Sequence, residues 1–148
     1  MQTLISEYSR EQVDAFWHEY WQTDWPDLGF YYRRNPDVPA WEFFATIQGY
    51  ARLAQELQHY AQGLGRIMGE HDHIVPDWTL TFTTASTLFF NARGIYGSEA
   101  HFMALAEDIT ATVSDLKSGQ MRVLAPPESI KSDHVLHLHV MDAGFLTG

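Results

Sequence analysis

The chain has 148 residues, of which 45% are hydrophobic and 14% aromatic, enough for one compact domain and too few for two ordinary ones. Its formal net charge of -10 opposes long-range attraction to phosphate backbones and anionic lipid, so neither nucleic acid nor a membrane surface is an expected partner. With no cysteine there is no disulfide framework and no thiolate nucleophile or metal ligand, and any chemistry falls to His, Asp, Glu, Tyr and hydroxyl groups.

The chain does not open with a basic segment and an apolar run, and no stretch nears the ~18 continuous apolar residues of a membrane span, so a soluble, cytoplasmic protein is expected. Ser9-Arg10-Glu11-Gln12 has the form of a capping box. Val13, Phe16, Trp17, Tyr20 and Trp21 then recur at helical spacing, giving a short helix an aromatic face that must dock on the core or on another subunit. Between residues 24 and 39, Pro26, Gly29, Pro36 and Pro39 break the pattern around Phe30, Tyr31 and Tyr32, which predicts a loop with at most a short strand. Arg33 and Arg34 there either bind an anionic ligand or, as the acidity of the chain favours, serve as local partners of Asp24, Asp27 or Asp37.

Phe43, Ile47, Tyr50, Ala54, Leu57, Ala61 and Leu64 follow three- and four-residue steps, which predicts one long amphipathic helix over residues 41–68 that ends or kinks at Gly63 and Gly65. Glu42 falls on its polar side. Tyr50 and Tyr60 can each send a hydroxyl into the apolar interior or satisfy it locally. Glu70-His71-Asp72-His73 places two imidazoles and two carboxylates in a loop, a set of metal-ligating types without a third ligand at a diagnostic spacing.

Trp78, Leu80 and Phe82 alternate with Thr79, Thr81 and Thr83, the period of a half-buried strand; Thr84-Ala85-Ser86 turns the chain and residues 87–91 return it. Gly94 and Gly97 bracket Ile95-Tyr96, and Ser98 then caps a helix that carries Glu99 in its first turn and buries Phe102, Leu105, Ala106 and Ile109. Residues 121–124 read as a strand and 134–141 as a longer one. On the latter, Val135, His137, His139 and Met141 share one face and Leu136, Leu138 and Val140 the other, so the paired histidines either bind a ligand or metal or form a solvent face. The sequence displays no internal repeat, phosphate loop or nucleophile elbow.

The order of these elements resembles the NTF2-like superfamily in its SnoaL-like and ketosteroid-isomerase-like branches. The resemblance rests on Pro76-Asp77-Trp78-Thr79-Leu80-Thr81-Phe82, on Asn91-Ala92-Arg93-Gly94-Ile95-Tyr96-Gly97-Ser98-Glu99-Ala100 and on Met121-Arg122-Val123-Leu124. It implies an α+β fold over residues 41–148, a curved and mainly antiparallel sheet wrapped on helices as a cone, with residues 1–40 as an N-terminal extension. It also implies a homodimer and a small hydrophobic or aromatic molecule in the cone, isomerised, cyclised or hydrated without a cofactor. In that architecture Tyr50 and Tyr60 are the candidate donors, His137 and His139 the acid or base, and Asp77 a carboxylate at the strand start; the family's base position, within Thr81-Phe82-Thr83-Thr84, holds no carboxylate. Two other classes stand beside this reading. One is a noncatalytic assembly module that meets a protein through Phe16, Trp17, Tyr20 and Trp21. The other is a metal protein that uses two or more of His71, His73, His137 and His139, with or without Glu70 or Asp72.

Overall fold

A computed structural model describes residues 3–5, 29–63, 67–74, 79–126 and 133–142. Along these residues the chain runs β1 (Thr3–Ile5), β2 (Phe30–Arg34), β3 (Ala40–Ala45), α1 (Ile47–Ala61), β4 (His71–His73), β5 (Thr81–Thr84), β6 (Phe89–Asn91), β7 (Gly94–Gly97), α2 (Glu99–Val113), β8 (Gln120–Leu124) and β9 (Val135–Val140). The class is α+β, with two mixed sheets. One has the order β1-β8-β9-β3-β2 and the other β4-β5-β7-β6. Each is antiparallel except at its central pair, β9 with β3 and β5 with β7.

The long helix expected from residue 41 starts later. Every side chain of Ala40-Trp41-Glu42-Phe43-Phe44-Ala45 is buried in a strand that has neighbours on both sides, so the alternation that betrays a half-exposed strand is missing. Thr46, in extended backbone, accepts a hydrogen bond from the Gly49 amide at 3.0 Å and starts α1 at Ile47. Residues 30–34, in the segment expected to be loop with at most a short strand, are the five-residue β2, paired with β3 from Phe30 opposite Ala45 to Arg34 opposite Trp41. The boundary drawn at residue 40 thus falls inside a hairpin.

The second sheet corrects two further expectations. His71–His73 is not loop but an edge strand against β5. The predicted hairpin between the Phe82 strand and residues 87–91 does not form, because the Asn91 side chain accepts from the amides of Arg93 (2.9 Å) and Gly94 (3.4 Å) and folds β6 onto β7, which then runs parallel beside β5. The later expectations match: the Ser98 side chain caps α2 with His101 reciprocating, and Phe102, Leu105, Ala106 and Ile109 are buried. On β9, Leu136, Leu138 and Val140 belong to the core.

One continuous core joins both helices and the inner faces of both sheets. Leu57 and Phe82 are fully buried in it, and the Tyr60 ring packs on Phe82 and Phe102 at centroid distances of 5.8 and 4.8 Å. The space under α1 where a hollow was expected is occupied by these side chains.

The fold also contains a repeat that the sequence does not display. Adding 52 to the residue numbers of α1 gives those of α2, and the buried positions Tyr50, Leu53, Ala54, Leu57, Tyr60 and Ala61 become Phe102, Leu105, Ala106, Ile109, Thr112 and Val113. Each helix follows a hairpin and precedes another antiparallel pair. Each sheet takes one pair from either half, β2-β3 with β8-β9 and β4-β5 with β6-β7. The halves escape comparison by eye because few buried residues are identical and the first hairpins turn differently, over residues 35–39 in one and 92–93 in the other.

Candidate metal centre

Alternation along β3 and β9 sends Trp41, Phe43, Leu136 and Leu138 into the core, and Glu42, Phe44, His137 and His139 to the opposite face of the first sheet. The parallel register sets Glu42 opposite His137 and Phe44 opposite His139. The Glu42 carboxylate thereby reaches both imidazoles. His137 Nδ1 lies 2.7 Å from Oε1 and 2.9 Å from Oε2, and His139 Nε2 lies 2.8 Å from Oε1. Asn35 Nδ2 donates to Oε2 at 3.1 Å, while its own Oδ1 accepts from the amides of Asp37 and Val38, so the turn of the β2-β3 hairpin is tied to the centre. The His139 ring stacks on Phe44 at 4.7 Å and 13°.

Glu42 and His139 are 1% and 0% exposed, and the His137 side chain 14%. Burial by itself pushes the Glu42 carboxyl up, but hydrogen bonds from His137 and His139 and attraction to the charge these rings carry when protonated outweigh it, and the pKa settles at about 2. An ionised carboxylate only accepts, so each ring nitrogen that faces it carries the proton. The carboxylate therefore fixes a hydrogen on His137 Nδ1 and on His139 Nε2. Among the described residues no hydrogen-bond partner faces His137 Nε2.

No family model, curated protein or solved structure matches this chain. The functional reading rests on the geometry.

Of the residues singled out from sequence, His137 and His139 come together here. Tyr50 lies on the core side of the same two strands, its hydroxyl 3.0 Å from the Phe43 carbonyl and 2.7 Å from that of His139. Its one proton, shared between these oxygens, ties β3 to β9 behind the centre. Burial first, and then the Glu42 charge, raise its pKa well above 10.0, so it stays protonated. Tyr60 is elsewhere, donating to the Glu70 carbonyl at 2.8 Å and meeting Thr84 Oγ1 at 2.8 Å. His71 and His73 are exposed on the second sheet with ring centroids 5.3 Å apart, and the described residues add no third ligand to them. Asp77 and the aromatic helix expected around Phe16, Trp17, Tyr20 and Trp21 lie outside the described residues.

The sequence reading missed Glu42. Its signal is an ionisable residue inside an aromatic run, Trp41-Glu42-Phe43-Phe44, where a buried charge demands partners that the neighbouring residues do not supply.

Proposed function

We propose that this protein binds a divalent transition-metal ion through Glu42, His137 and His139. What carries the reading is that one carboxylate oxygen and two imidazole nitrogens, all within 4.8 Å of one another, meet on a buried sheet face. Two imidazoles and a carboxylate are a donor set that suits zinc and its first-row neighbours. Bonds of ~2.0–2.2 Å in tetrahedral array put ligand atoms ~3.4 Å apart. The carboxylate-imidazole contacts of 2.7–2.9 Å have to open by about 0.6 Å, and the two ring nitrogens, within 4.8 Å of each other, have to settle at the same spacing. An ion takes the place of the two ring protons that face Glu42, each neutral imidazole then carrying its proton on the other ring nitrogen, and the ion's charge offsets that of the buried carboxylate. Three protein ligands leave a position for water or substrate, the arrangement of catalytic rather than structural zinc.

The family resemblance supports a different proposal, a small hydrophobic molecule inside an NTF2-like cone. The metal reading is preferred because Leu57, Tyr60, Phe82 and Phe102 occupy the space that such a molecule needs. A second reading of the same centre needs no ion: Glu42 orients His137 so that Nε2, without a partner among the described residues, serves as a base.

Titration of metal-free protein with zinc or cobalt, purified without a nickel column, tests the proposal. One ion per chain is expected, with its loss in Glu42→Gln and in His139→Ala. No uptake at millimolar metal overturns it, and so does uptake unchanged in both variants; the former outcome leaves the metal-free base.

A further inference from the structure

The repeat gives every position of the metal centre a counterpart on the second sheet. Across the parallel pairs, Glu42 opposite His137 and Phe44 opposite His139 correspond to Gly94 opposite Thr81 and Tyr96 opposite Thr83. A carboxylate and two imidazoles are replaced by a glycine and two threonines. Side-chain volume is removed at three of the four positions, and a hollow of about 590 Å³ lies on that face.

Gly94 cannot refill it. Its φ is +144°, and a Cβ there would run into the Thr81 carbonyl oxygen. The outer faces thus diverge while the core sides stay alike, Phe43 and Leu138 corresponding to Ile95 and Phe82.

The charge of the lining runs against that of the chain. Arg93, His71 and His73 border the hollow, no carboxylate lines it among the described residues, and the whole chain carries -10. The Arg93 guanidinium has no partner among the described residues. Among the described residues Thr83 Oγ1 makes only a 3.5 Å contact with Thr81 Oγ1 and so has capacity for a ligand. Tyr96, stacked on Phe89 at 4.3 Å and 9°, adds a fixed aromatic wall.

We propose that this hollow binds a small organic anion, an aromatic ring bearing a carboxylate or phosphate. The ring lies along Tyr96, and the anionic head meets Arg93, the one donor here that pairs bidentately with oxyanions, and the Thr83 hydroxyl. The volume is within the range of small-molecule sites, and this proposal is independent of the metal.

Amide shifts of the full chain, followed by NMR during titration with benzoate, phenyl phosphate, inorganic phosphate and neutral benzyl alcohol, test it. Benzoate or phenyl phosphate, whichever head the site prefers, is expected to move the amides of Thr81, Thr83 and Tyr96 saturably and to bind at least tenfold more tightly than benzyl alcohol. Arg93→Ala should weaken it tenfold or more, and Thr83→Val, close in shape and able to fold, severalfold. Inorganic phosphate binding as tightly as both aromatic anions overturns the aromatic part of the proposal. Equal binding of benzyl alcohol, an unchanged affinity in Arg93→Ala, or no saturable shift with any probe overturns the site.

Discussion

At the scale of single residues, Glu42 is where stability and chemistry meet. Its carboxyl ordinarily titrates at 4.5 and in the fold at about 2, so between those values the unfolded chain binds the extra proton. The stabilisation is complete above about 4.5 and is lost as pH falls through about 2, a difference of roughly 3 kcal/mol at most. Denaturant unfolding of metal-free protein should therefore show wild type losing stability faster than Glu42→Gln as pH drops from 5 to 3. Parallel curves would mean the carboxylate gains nothing from its two imidazoles. Tyr50→Phe is a milder change. It deletes one proton shared by two carbonyls and should cost about 1–2 kcal/mol by the same measurement, with the fold retained.

At the scale of elements, α1 and its neighbours are held by one close approach. A Cβ on Gly49 would meet the carbonyl oxygen of Gly29, the residue that leads into β2 with φ +83°. Helix propensity alone favours Gly49→Ala by ~1 kcal/mol. The backbone collision should reverse that sign, giving a net loss of about 2 kcal/mol or more on thermal unfolding, whereas an unchanged or raised Tm contradicts the packing. Elements whose residue types alternate or recur between polar and apolar were the legible ones. The alternation on β9 separated Leu136, Leu138 and Val140 from His137 and His139, and the Ser98 cap and the Phe102-Leu105-Ile109 stripe defined α2. The obscure ones were β2 and β3, whose Phe30-Tyr31-Tyr32 and Trp41-Glu42-Phe43-Phe44 bury both faces and so carry no period, and β4, whose His71-Asp72-His73 is polar because it is an exposed edge. Glu42 was hidden by the same cause, since only the strand assignment turns it toward His137.

The whole molecule is a pair of interlocked halves. No helix among the described residues is long and apolar enough to cross a membrane, and the core is shared rather than divided. Because each sheet draws one strand pair from each half, neither half can complete a sheet alone. A polypeptide of residues 1–85 and one of residues 86–148 should each lack a cooperative thermal transition by circular dichroism and regain it on mixing; a cooperative transition in either alone contradicts the interlocking. The same architecture gives the molecule two outer faces, one closed around Glu42, His137 and His139 and the other open over Thr81, Thr83 and Tyr96. The proposed metal site belongs to the first of these. Anomalous diffraction at the zinc edge, from crystals grown with zinc, locates the ion without reference to activity. The account predicts a peak ~2.0–2.2 Å from a Glu42 oxygen, His137 Nδ1 and His139 Nε2; ordered zinc at His71 and His73 with none at Glu42 would contradict it.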